Sequence, residues 1–135
     1  MAIQLSVAVR TARLDTIEST IGTAAVLKIF TGAQPANCAA ANSGTELVSM
    51  TLASDWMNAA SAGTKTKLGT WEDASANNTG TAAHFRLYAS DGTTCHMQGS
   101  VTATGGGGDL ELDSTSITTG QTVTITTFTL TDANS

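Results

Sequence analysis

Two histidines are the natural starting point for any chemistry in this chain. His84 and His96 fall on neighbouring segments that alternate like strands, Ala82–Ala89 and Cys95–Val101. Strict alternation places both on one face, where Asp91 or Glu72 could join them to hold a metal. Neither an HxH nor an HExxH spacing is present, and those spacings are what bring two imidazoles onto one ion. The pair therefore reads as part of a sheet face, and no metal or cofactor is expected. Cys95 adjoins His96, but a thiol nucleophile needs its base within reach and oriented by a third group. Sequence neighbours on a strand project to opposite faces, so Cys95 is expected in the core and no catalytic residue is assigned. Cys38 lies in a loop; it could pair with Cys95, although two cysteines do not define a disulfide framework and free thiols are the default.

Three further patterns invite chemistry. Asp109, Glu111 and Asp113 alternate on one face beside a four-glycine run. They could offer oxygens to calcium, or they could be the charged, solvent-facing edge of a sheet, which is the favoured reading. Gly105–Gly108 is followed by no GK[ST] and opens no helix, so it is a mobile loop and not a phosphate cradle. Trp56 and Trp71 are expected as core or interface anchors ahead of ligand platforms.

The elements that must position these residues are mostly β. Ser6 can cap a helix that Gly22 ends, and Arg10, Leu14, Ile17 and Ile21 share one side of it. Leu14, Ile17 and Ile21 are expected to pack down, with Arg13, Asp15 and Glu18 facing water. The same helix could instead be a partner-binding arm, with Arg10, Arg13, Leu14 and Ile17 as contacts. Strands follow at Val26–Thr31 and Glu46–Ala53, with a proline-containing turn and an Ala-rich irregular loop between them. A short helical turn is expected at Ser54–Ala60, then a strand Lys65–Trp71 with Lys65 and Lys67 on the wet side. In the next hairpin Phe85 and Leu87 face one way, and His84, Arg86 and Tyr88 the other. A three-residue loop, or a bulge at Thr93-Thr94, would set Ala89 opposite Cys95. The last strand, Gln121 to about Thr131, changes parity at Thr126-Thr127, where a bulge would keep Val123, Ile125, Phe128 and Leu130 inward. About seven strands and one N-terminal helix, residues 1–22, predict an antiparallel β-sandwich occupying residues 1–135 as one domain.

Composition bounds the partners. Charged residues make up 13% of the 135, about half the usual share, and the net charge is −5. Six scattered basic residues argue against nucleic acid, whose binding needs Lys and Arg to displace counterions from phosphates. No apolar run approaches a membrane span, and no basic segment followed by an apolar one suggests a secretory leader. A surface of Thr, Ser, Ala and Gly is cheap to desolvate against protein. With aromatics at 4%, the core is expected to rest on Val, Ile, Leu, Met and Ala.

Several segments together resemble one family of tailed-bacteriophage virion proteins. They are Leu5-Ser6-Val7-Ala8-Val9-Arg10 with Ala12-Arg13-Leu14-Asp15 and Ile17-Glu18; Leu27-Lys28-Ile29-Phe30-Thr31-Gly32-Ala33-Gln34-Pro35-Ala36; and Ser54-Asp55-Trp56-Met57. His84-Phe85-Arg86-Leu87-Tyr88, Cys95-His96-Met97-Gln98-Gly99 and Gly120-Gln121-Thr122-Val123-Thr124-Ile125 complete the set. The likeness runs over nearly the whole chain, in texture and order. It implies a non-enzymatic virion component assembled in the host cytoplasm, and within that class a capsid decoration, or cement, protein on the outer head. Partners implied are copies of itself, with a trimer common among such proteins, and the major capsid protein. His84, Arg86, Tyr88, His96 and Gln98 would form the protein-contact face. The alternatives are a head–tail connector or tail component, and a host-surface module binding glycan through Trp56, Trp71 and Tyr88.

Overall fold

The computed structural model describes residues 3–133; Met1, Ala2, Asn134 and Ser135, which the expected domain includes, lie outside the described residues. Its helix, α1, spans Val7–Ile21 within the expected caps. The Ser6 hydroxyl accepts from Val9 N at 3.3 Å, and Gly22, at φ 90°, donates its N–H to Glu18 O at 2.9 Å. Such a backbone at the helix end suits glycine, which has no Cβ to clash. Leu14 and Ile21 are buried and Ile17 packs on the main core, as their spacing predicts.

Eleven strands follow among the described residues: β1 (Val26–Phe30), β2 (Glu46–Thr51), β3 (Thr64–Thr66), β4 (Trp71–Asp73), β5 (Gly80–Thr81), β6 (His84–Tyr88), β7 (Cys95–Ala103), β8 (Leu110–Leu112), β9 (Ser116–Ile117), β10 (Val123–Ile125) and β11 (Thr129–Thr131). The fold is mainly β, in several sheets, with the single short N-terminal helix. One five-stranded sheet runs β2-β1-β6-β7-β8, and three two-stranded ladders pair β10 with β4, β11 with β3 and β5 with β9. A continuous apolar core joins Leu27, Ile29, Phe85 and Leu87 of the large sheet to Trp71, Ile117, Val123 and Ile125 of the ladders.

The expected antiparallel order has one exception. β8 runs parallel to β7, pairing Val101 with Leu110 and Ala103 with Leu112. Parallel neighbours ordinarily need a long crossover. Here the glycine run folds back directly: Gly105 and Gly107 take φ of +86° and +79°, and the Glu111 carboxylate accepts both of their N–H groups at 3.2 and 3.1 Å. The run thus forms a reversal in which Glu111 holds two of the glycine amides.

Four local expectations are corrected. Ser54–Ala60 forms no helix; Met57 bridges to Lys67, and Glu18 Oε1 accepts from Trp56 N and Met57 N at 3.2 and 3.0 Å. The strand expected over Lys65–Trp71 is two, β3 and β4, and Lys65 is only 2% exposed. The last strand breaks at Thr126-Thr127 in place of a bulge, because β10 and β11 pair with different partners; Val123, Ile125 and Phe128 are all buried nonetheless. The core is also aromatic. All six aromatic residues of the chain are buried, and Trp56, Trp71, Phe128 and Phe85 form a run of ring contacts with centroids 5.4–6.1 Å apart. The Val, Ile, Leu, Met and Ala expected to build the core supply most of it, and these rings add to them, each removing a large area from water. No helix among the described residues is long and apolar enough to cross a membrane.

Candidate functional site

The face that carries His84, Arg86, Tyr88 and Gln98 is set by β6 lying between β1 and β7. Arg86 pairs with Lys28 on one side and Gln98 on the other. The alternation along β6 is as expected, but its outcome is not. His84, Arg86 and Tyr88 are 1%, 2% and 5% exposed, so they offer no free contact face. The segment between β1 and β2 covers them. That loop closes at its ends, where Thr31 N donates to Thr45 O at 3.0 Å and Thr45 N to Thr31 Oγ1 at 2.9 Å. It has the build of an Ω-loop, a compact lobe whose ends meet.

Polar side chains of the sheet hold the loop by its backbone carbonyls. Arg86 Nη2 donates to Cys38 O at 2.9 Å, Ala40 O at 3.0 Å and Asn37 O at 3.3 Å. Gln98 Nε2 donates to Pro35 O at 2.7 Å. His84 Nδ1 lies 2.9 Å from Gly32 O; a carbonyl only accepts, so Nδ1 carries the proton there. The imidazole stacks on Phe30 with centroids 5.3 Å apart and planes 13° from parallel. Buried guanidinium without a carboxylate is tolerated because carbonyl dipoles stand in for one. Arg86 Nε, His84 Nε2 and Gln98 Oε1 find no hydrogen-bond partner among the described residues.

The Tyr88 ring has the Lys28 ammonium 5.4 Å and the Arg86 guanidinium 5.8 Å from its centroid. Burial raises its phenol above the ordinary range, with the Arg86 charge opposing. Lys28 itself pairs with Glu46 at 3.1 Å. Cys95 stands opposite Tyr88, because the hairpin bulge sits one pair further along than expected: Leu87 pairs with Met97 and Tyr88 with Cys95, skipping His96. Cys95 therefore packs beside Val26, Phe30 and Tyr88 and not in the main core.

The same bulge separates the histidines. His96 is exposed and lies along a groove beside Arg13, Ile17 and Thr20 of α1, whereas His84 is sealed under the loop. They share no face, and no group of three His, Cys, Asp or Glu able to hold a metal occurs among the described residues. The acids near the glycine run serve their own chain. Asp109 Oδ2 accepts from Ser100 N and Oγ at 2.9 and 3.0 Å, and Glu111 caps the glycine amides.

The candidate partner helix turns inward along one side, while the Arg13 side chain stays 60% exposed, in water as expected. Leu14 is 3% exposed, Ile17 is partly buried, and Arg10 Nη1 donates to Asp132 O at 2.9 Å. Arg13 Nε pairs with Asp132 Oδ2 at 3.3 Å. Asp15 and Glu18, expected in water, reach Lys65 of β3. Trp56, Trp71 and Tyr88 are buried, which removes the aromatic platform a glycan site would need. Comparison with protein-family models, with curated proteins and with solved structures returns no match to this chain.

Sequence reading missed the covering loop. Its signals are present in retrospect. The run His84–Tyr88 is buried at every position, which requires a cover on both faces. Gly32 and Gly44, both at positive φ, bracket the cover.

Proposed function

We propose that this chain is a non-enzymatic structural protein of a tailed-phage virion, of the capsid decoration type, that binds copies of itself and the outer head surface. The observation that supports it most is the division of side chains between inside and outside. Aromatic residues and the polar groups that could do chemistry, His84, Arg86 and Lys65, are spent on the chain's own core and loop. What remains outside is a hydroxyl-rich surface, as in Thr122, Thr124, Thr126, Thr127, Thr129 and Thr131, with Val7 and Val9 exposed at the entrance to α1. Such a surface loses little on desolvation and suits many repeated contacts with protein. A clip of this kind stabilises an expanded shell by binding it better than the unexpanded one.

With His84, Arg86 and Tyr88 covered, the contact surface we propose comprises His96 and the threonine-rich outer strands. Light scattering after gel filtration tests self-association. Quantitative mass spectrometry of purified virions, with immunogold labelling, tests location. Hundreds of copies spread over the head are expected. A few copies at one vertex would transfer the chain to the connector or tail alternative, and absence from virions would end the proposal.

A further inference from the structure

Cys38 and Cys95 are distant in sequence yet line one cavity of about 340 Å3 with Lys28, Arg86 and Tyr88. Each is placed by its backbone. Arg86 Nη2 holds the Cys38 carbonyl at 2.9 Å, and Cys95 is fixed opposite Tyr88, two residues along β6 from Arg86. Both are free thiols, and both are half-buried, so a small reagent can reach the site. The Cys95 thiol donates to Met97 O at 3.4 Å. Burial, and next hydrogen bonding with the Cys38 thiol, push it up to about 11, while the Arg86 charge pulls the other way. The two side chains therefore face one cavity, one from the Ω-loop and one from the sheet beneath it.

We propose that Cys38 and Cys95 form a disulfide that fastens the Ω-loop to the large sheet when the protein meets a small-molecule disulfide as oxidant. The Cys38 sulfur, on giving up its proton, attacks one sulfur of the oxidant; the S–S bond of the oxidant breaks and a first thiol leaves. Cys95 then loses its proton and attacks the Cys38 sulfur, expelling the second thiol. Two protein thiols are oxidised, one disulfide is reduced, and the two protons end on the released thiols. Because the link joins residues far apart in the chain, it removes many conformations from the unfolded state. This pairing does not depend on the virion reading.

The test uses the full chain under native conditions with oxidised glutathione, followed by denaturation, alkylation and intact-mass measurement. The expected result is loss of both alkylatable thiols together in a monomeric species, a Cys38–Cys95 cross-linked peptide, and a Tm higher by roughly 10 °C that a reducing agent reverses. Cys38→Ser and Cys95→Ser should each gain one glutathione and show no such rise. Two thiols still open to alkylation, separate glutathione adducts on the two cysteines, or a link between chains would each overturn the proposal. A cross-linked chain with unchanged Tm would overturn the fastening.

Discussion

Lys65 Nζ lies 2.8 Å from Asp15 Oδ1 and 2.9 Å from Glu18 Oε2, so a strand lysine that is 2% exposed ties β3 to the helix. A third bond goes to Asn58 O at 2.9 Å, which uses all three ammonium protons. Glu18 in turn accepts from Trp56 N and Met57 N. One cluster thus sets the helix, the Ser54–Ala60 segment and β3 against one another.

Lys65→Ala leaves Glu18 without its counter-charge and opens space for the lost stem. A loss of about 2 kcal/mol is expected, below the usual figure for a buried pair because Asp15 is half exposed. Urea denaturation measures it; an unchanged midpoint would show the cluster to be energetically silent.

The cluster also predicts a pH window. The hydrogen bond from Lys65 lowers Asp15 below its ordinary 3.8, so its contribution is complete above that pH and is lost as pH falls through the lowered value. For Lys65, burial works against the charge but the Asp15 and Glu18 bonds outweigh it, raising the ammonium above 10.5. Its contribution is complete below that pH and is lost as pH rises through the raised value. The cluster's own contribution should therefore be flat between these limits, and the alkaline fall, to which the raised Tyr88 and Cys95 also contribute, should be smaller in Lys65→Met. Thermal scans across pH would reveal a contrary pattern.

Asp91 organises the β6–β7 turn by accepting from Thr93 N and Thr94 N, both at 2.8 Å, and from the Thr94 hydroxyl. The hydroxyl bond first, then the amides, hold its carboxyl at about 2, against an ordinary 3.8. A lowered acid stabilises above its unfolded value and ceases to do so as pH falls through the folded one. Carboxyl and amide shifts followed by NMR should titrate near pH 2. Thr94→Ala should move that midpoint upward, and a midpoint near 4 in the wild type would contradict the turn geometry.

Arg86→Ala removes the donor to three loop carbonyls and leaves a cavity under the Ω-loop. A loss of roughly 2–4 kcal/mol is expected, with the amides of residues 32–44 exchanging faster than those of β1 and β6. Hydrogen exchange separates the two regions. Equal protection of loop and sheet in the variant would mean that other contacts hold the cover.

Gly44 and Gly69 share φ of +75°, yet their surroundings differ. A Cβ on Gly44 would meet Thr31 O at 1.9 Å, whereas one on Gly69 meets nothing within 4 Å. Gly69→Ala should lose only the conformational term of about 1 kcal/mol. Gly44→Ala must also open the loop neck, and its denaturation midpoint should fall further. Equal losses would argue that the neck is not closed by Thr31 and Thr45.

Local rules made much of this fold legible. The helix is read from Ser6, Gly22 and the Leu14, Ile17, Ile21 spacing, since caps and periodicity act within a few residues. The inward residues Leu27, Ile29, Phe85 and Leu87 follow from strand alternation. The strand break at Thr126-Thr127 is visible as a change of parity, though not as a change of partner.

Long-range pairing decided the rest. Alternation says that His84, Arg86 and Tyr88 share a face, but whether that face meets water depends on the loop before β2, which no rule of periodicity places. A one-residue bulge at His96 moved Cys95 beside Tyr88 and sent the two histidines to opposite sides. Lys65 looks wet in sequence because lysine is normally exposed; only the arrival of Asp15 and Glu18 from the helix makes its burial tolerable. Sequence therefore determined which residues alternate and where the helix begins and ends, because those depend on near neighbours. Tertiary structure alone decided which polar residues are covered, because burial of a charge depends on partners that the chain brings from far away.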